Sequence, residues 1–239
     1  MEDKKRRILM VVSNPTTSTT TGWPVGFWSA ELTHAYKLFI DNGFEVTIAS
    51  PKGGKVEIDA LSDPRDSSGY SKNDTISLEF LEDGDFMSLL HNTKKVSDFS
   101  VDNFDAIVVV GGQGPMFTFN GETGLQNTFL EFYKKGKISA ALCHGTSLLL
   151  YLKDKDGKPL IQGKKMTGFT DEEEDFADKT VGKKVMPFRI EDEAKKLGAE
   201  FQKANVFEPF AIKDGNLITG QQQHSGAEVA KLVINSLGK

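Results

Sequence analysis

The chain of 239 residues has one cysteine, Cys143. No internal disulfide can form, so the protein is expected in a reducing, cytoplasmic compartment. Basic charge is in deficit. There are 29 Lys and Arg against 34 Asp and Glu, a formal net charge of −5, which leaves no basic surface of the size that nucleic acid requires. Long apolar runs are missing as well, so no stretch is expected to span a bilayer. The basic start Lys4-Lys5-Arg6-Arg7 runs straight into an apolar strand without the apolar region and cleavage site of a secretory signal. Histidine is scarce, and no grouping of His, acids and the cysteine has metal-ligand spacing, so no metal is expected. Gly111-Gly112-Gln113-Gly114-Pro115 lacks the spacing of a dinucleotide fingerprint or P-loop and puts proline where a helix should continue, so no nucleotide cofactor is expected.

What is present is a rhythm of apolar runs of strand length separated by amphipathic segments of helix length. That pattern predicts an α/β fold with a mostly parallel central sheet and helices on both faces. With 38% hydrophobic residues the chain can bury one sizeable core, and a single domain over 1–239 is expected. Strands are predicted at 8–13, 44–50, 105–112, 138–142 and 165–170, with a hairpin closed by Asp214-Gly215. Helices are predicted at 28–42, 84–92, 121–135, through Leu148-Leu149-Leu150, at 190–201 and at 224–237. The threonine-rich segment 14–22 reads as a solvated loop. Residues 51–83, rich in Gly, Asp and Ser, read as a long excursion from the domain.

Chemistry concentrates on Ile138-Ser139-Ala140-Ala141-Leu142-Cys143-His144-Gly145, which reads as strand, sharp turn, helix with a thiol at the turn. Two readings of the cysteine stand side by side: a small buried hydrophobe, or a nucleophile on an elbow whose following helix N-terminus favours the thiolate. His144 could reach an acid across the elbow while its N–H serves an oxyanion. Gly111-Gly112 is either a tight strand exit or a second backbone donor. Glu31 lies among aromatic residues and could be a desolvated proton shuttle or an ordinary helix-surface acid. The acidic run after Thr170 is a solvated face or, because it starts at a strand's C-terminal end, part of a site. His34, His91 and His224 read as surface, packing or cap residues.

Together, Glu31 after the first strand, Gly111-Gly112, the Ala141-Leu142-Cys143-His144-Gly145 elbow, and Thr167-Gly168-Phe169-Thr170-Asp171 with its following glutamates resemble the ThiJ/PfpI superfamily. The segment Asp214-Gly215-Asn216-Leu217-Ile218-Thr219-Gly220-Gln221 supports the same likeness, which runs from near Ile8 to the final helix. The resemblance implies the class I glutamine amidotransferase-like, flavodoxin-like three-layer sandwich with a nucleophile elbow. Within it the chain is most similar to the chaperone-like, glutathione-independent glyoxalases (glyoxalase III). The resemblance makes Cys143 the nucleophile, His144 its partner, Glu31 the general acid/base, and Glu174 the acid behind His144, with Glu173 as the alternative. Gly112 and His144 would supply oxyanion amides, with Gly111 and Gln113 beside them. Gln113 stands where this branch often has histidine, and Thr146-Ser147 replace Pro-Ala, departures that bear on substrate choice.

The implied activity is a cofactor-independent lyase of the glyoxalase III (D-lactate dehydratase) type. It would convert methylglyoxal and related 2-oxoaldehydes to 2-hydroxy acids through a cysteine hemithioacetal. The implied partners are the small aldehyde and a second copy in a homodimer. A protein or nucleotide deglycase, a cysteine peptidase or amidase, and a holdase chaperone or oxidation sensor remain the alternatives.

Overall fold

The computed structural model describes residues 5–238, so Lys4 of the basic start lies outside the described residues. In chain order the elements are β1 (Arg7–Val11), a ribbon of β2 (Thr16–Thr17) with β3 (Pro24–Val25), α1 (Ser29–Asp41), β4 (Glu45–Ser50), α2 (Thr75–Glu82), α3 (Gly84–His91), β5 (Lys94–Lys95), β6 (Ala106–Val109), α4 (Pro115–Thr118), α5 (Thr123–Lys134), β7 (Ile138–Leu142), β8 (Lys165–Met166), α6 (Asp171–Val181), α7 (Ile190–Lys196), β9 (Glu200–Phe201), β10 (Ala211–Asp214), β11 (Leu217–Gly220) and α8 (Gly226–Ser236). Seven strands form one sheet in the order β10-β11-β7-β6-β1-β4-β5. Every neighbouring pair is parallel except the hairpin β10–β11.

The central strands are continuous apolar runs because both of their faces are covered. Ile8, Met10, Val108, Ala140 and Ile218 point to one side, where Leu32 and Phe39 of α1 and Val229 and Val233 of α8 pack on them. Leu9, Val11, Ile107, Val109 and Ala141 point to the other, against Leu125, Phe129 and Phe132 of α5. The alternation of side chains along each strand sorts neighbouring residues into two cores and produces the three layers. The mostly parallel α/β sandwich expected from the sequence is the fold observed.

Local departures have identifiable causes. The excursion holds a helix that its polar composition hid: Asp74 caps α2 by accepting the Ser77 N–H at 3.1 Å, and Leu81 is buried beneath it. The threonine-rich segment is not merely solvated; it folds into the β2–β3 ribbon, buries Ser18, and hydrogen-bonds the Thr20 hydroxyl to the Val185 carbonyl. The acidic run is the first turn of α6, where four acids face the positive end of the helix dipole. A capping box starts that helix: Thr170 Oγ1 accepts from Glu173 N at 3.2 Å and Glu173 Oε2 accepts from Thr170 N at 3.0 Å. The segment after β7 is a 3-10 helix, Cys143–Tyr151, and the helix predicted over 190–201 stops at Lys196 before β9.

Candidate active site

In a parallel sheet the strands' C-terminal ends open onto a crevice where loops can converge. Here β7 delivers Cys143 and β6 delivers Gly111 and Gly112 to that edge, while the first turn of α1 brings Glu31 in from the side. Cys143 has φ 54°, a left-handed conformation that costs a non-glycine residue about 1–2 kcal/mol. Its surroundings impose it. Thr146 Oγ1 donates to the Cys143 carbonyl at 2.7 Å, and Gly145 presses so close to β6 that a Cβ there would lie 2.8 Å from the Val110 carbonyl oxygen. Gly111 allows equally close approach, since its Cβ would lie 2.8 Å from both Cys143 Cβ and Glu31 Oε2.

Glu31 is completely buried and its Oε2 accepts the Gly111 N–H at 2.7 Å. Its Oε1 has no conventional hydrogen-bond partner, and the Cys143 thiol is the group the carboxyl engages. Loss of hydration pushes the Glu31 pKa up to about 8, against the pull of the thiol and the Gly111 amide, with the negative charge of Asp59 adding to the rise. Near neutral pH the carboxyl therefore carries a proton, with Oε2 taken by the Gly111 N–H and the thiol as its other neighbour.

The expectation that the following helix would hold Cys143 as a thiolate is reversed. Burial raises the thiol pKa well above its ordinary value, the Glu31 charge raises it further, and only the N–H groups of His144 and Gly112 pull the other way. The N-terminus of the 3-10 helix does not outweigh desolvation combined with a neighbouring acid. Those same two N–H groups converge on the thiol.

His144 is buried with Nδ1 3.7 Å from Cys143 Sγ and Nε2 2.9 Å from Glu174 Oε1. When Nε2–H donates to the Glu174 carboxylate, Nδ1 is left as an acceptor toward the thiol. Phe169 stacks on the ring with centroids 4.2 Å apart and fixes its plane. Glu173 is engaged elsewhere: besides its capping bond, its Oε1 accepts from Phe207 N at 2.9 Å and Gln221 Nε2 at 2.8 Å. Of the two candidates, Glu174 is the one that touches His144. His34 instead pairs with Asp74 at 2.8 Å, away from the thiol, and His91 and His224 are exposed.

Sequence reasoning missed Asp59. This buried residue in the excursion accepts from Gly26 N at 2.9 Å through Oδ1 and from Gln113 N at 2.7 Å through Oδ2. It thereby ties the approach to α1 to the glycine loop, and burial raises its pKa to about 6. Nothing in a Gly/Asp/Ser-rich stretch distinguishes this aspartate from its solvated neighbours. The cavity over the thiol measures about 120 Å³. Gln113 lines it and holds a buried Oε1 without a partner.

The assembly brings a thiol, a buried carboxyl, an imidazole and two backbone N–H groups together, an arrangement chemically able to add sulfur to a carbonyl and move protons afterwards. A family model described as the DJ-1/PfpI family matches residues 24–236. Glyoxalase 3 of Candida albicans is 32% identical over 232 residues, covering 95% of this chain and 96% of that protein. Glutathione-independent glyoxalase HSP31 of Saccharomyces cerevisiae is 31% identical over 238 residues, covering 98% of each. The X-ray structure of Rapid Encystment Protein 24 KDa from Francisella tularensis superposes with a TM-score of 0.87 at 29% identity, covering 98% of this chain and all of that one (100%). A match across most of the chain, with relatives aligned along nearly their full length, places the cysteine elbow in known company: the chain belongs to the DJ-1/PfpI family.

Proposed function

We propose that this protein is a glutathione-independent glyoxalase that converts 2-oxoaldehydes such as methylglyoxal to 2-hydroxy acids. The observation that carries the reading is the completely buried Glu31 carboxyl beside the only thiol in the chain, beneath a pocket of small-molecule size. The names of the two curated relatives support the same activity.

The steps follow from the positions of the protons. As Cys143 Sγ bonds to the aldehyde carbon, its proton passes to His144 Nδ1, and the carbonyl oxygen, held by the N–H groups of Gly112 and His144, takes the proton of Glu31. The product is a hemithioacetal beside a Glu31 carboxylate. That carboxylate removes the hydrogen from the same carbon, the electrons move to the neighbouring carbonyl, and its oxygen takes the proton from His144 to give an enediol. Glu31 returns its proton to the second carbon while the hydroxyl next to sulfur gives its own to His144, leaving a thioester. Water attacks the thioester as Glu31 takes one of its protons, and the leaving sulfur recovers its proton from His144. The net change is 2-oxoaldehyde plus water to 2-hydroxy acid, with the enzyme restored.

Purified protein should form lactate from methylglyoxal with no added thiol, and Cys143→Ala should abolish it; undiminished turnover by that variant overturns the mechanism. The homodimer belongs to the same proposal and is checked by light scattering of the purified chain.

A further inference from the structure

The cavity beyond the thiol is far more apolar than methylglyoxal requires. Trp23, Phe176, Val185, Met186 and Phe207 form a wall beyond His144 and Phe169, continuous with a separate apolar cluster around Cys143. No lysine or arginine lines the cavity among the described residues, and its one charged side chain, Glu174, is committed to His144. The aromatic wall is held in place by backbone contacts. Phe207 sits at φ 59°, a conformation that non-glycine residues adopt only where the surroundings impose it, and the Glu173 carboxylate clamps its N–H at 2.9 Å. Its ring meets Phe176 edge to face at 5.1 Å between centroids. Trp23 and Phe176, 38% and 51% exposed, carry the wall out to the rim.

Size points the same way. A closed apolar cavity of roughly 150 Å³ accepts benzene, and this one, of about 120 Å³, is open at its mouth. A methyl group would leave most of the wall in contact with water.

Building on the glyoxalase reading, we infer that Trp23, Phe176 and Phe207 form a subsite for the substituent of the 2-oxoaldehyde, and that the site takes neutral aryl or bulky alkyl glyoxals in preference to methylglyoxal and to anionic aldehydes. The preference resides in binding. The reacting carbons of both substrates meet the same thiol, so the ring acts mainly on KM.

Rates should be compared for methylglyoxal, phenylglyoxal and 4-carboxyphenylglyoxal, corrected for aldehyde hydration. The expected result is a kcat/KM about 10–100-fold higher for phenylglyoxal than for methylglyoxal, the range that burying a ring supplies. The carboxylated ring should lose that advantage. Equal or lower kcat/KM for phenylglyoxal overturns the subsite. The same surface can be read without chemistry. Both tryptophans of the chain, Trp23 and Trp28, line the cavity, so their fluorescence in Cys143→Ala should report saturable binding of acetophenone, at least tenfold tighter than acetone. Phe176→Ser, on the exposed side of α6, should weaken that binding and lower kcat/KM for phenylglyoxal more than for methylglyoxal. Acetophenone binding no tighter than acetone removes the subsite whatever the reaction proves to be. Tight acetophenone binding with no 2-hydroxy acid from any aldehyde instead removes the glyoxalase reading and leaves the subsite standing.

Discussion

Replacing Glu31 by glutamine separates the proton from the shape. The amide has nearly the same volume, and its carbonyl can accept the Gly111 N–H that Glu31 Oε2 now takes at 2.7 Å. Folding raises the Glu31 pKa from 4.5 to about 8, so between those values the folded protein holds a proton that the unfolded chain has released. Its effect on stability is therefore most favourable below pH 4.5, declines as the pH rises, and levels off above about 8. At pH 7.5 the loss relative to acid amounts to ~4 kcal/mol, about three pH units at 1.36 kcal/mol each. Glutamine has no such term, but its NH2 takes the place of the buried, partnerless Oε1 and finds no acceptor there, at a cost of about 1–2 kcal/mol. Glu31→Gln should thus be more stable than the wild type by roughly 2–3 kcal/mol at pH 7.5, a rise in Tm of about 5–10 °C for a chain of this size. The gain should vanish or invert near pH 5. Activity should move the opposite way, falling about 10²–10⁴-fold because no group remains to pass the proton between carbons. Thermal melts at several pH values and lactate assays test both halves. A stability difference that does not change with pH, or a fully active Glu31→Gln, refutes the reasoning.

Because the proposed cycle starts with Glu31 protonated, kcat/KM should fall as the pH rises through about 8, and a rise across that range contradicts the assignment. Glu174→Gln should cost about 10–100-fold in kcat with little change in Tm, whereas Glu173→Gln, which disturbs the capping box and the contacts to Phe207 and Gln221, should lower Tm first. Asp59→Asn turns an NH2 toward one of two N–H donors, so it should destabilise by about 1–3 kcal/mol. It also removes a charge that raises the Glu31 pKa, so the alkaline limb of the rate profile should move to lower pH.

The sequence by itself determined the layered fold. Strand periodicity alone separates Leu9 from Met10 and Val108 from Val109, and continuous apolar runs announce a sheet covered on both sides. It also marked a tight turn at the thiol, because a strand ending in Cys-His-Gly turns where glycine permits it, while the close approach that excludes a Cβ at Gly111 and Gly145 belongs to the folded structure. Tertiary structure decided which acids lie against that thiol and its histidine, and the burial that raises the pKa of Glu31. Glu31 reaches Gly111 across 80 residues, and Asp59 reaches Gln113 across 54, through contacts that no local pattern encodes. Consecutive residues on a helix point about 100° apart, so the choice between Glu173 and Glu174 depends on how α6 is rotated against the elbow, a property of packing. Protonation depends on burial and on neighbouring charge. A chain read as a string shows neither, which is why the expected thiolate becomes, in the folded protein, a thiol beside a protonated acid.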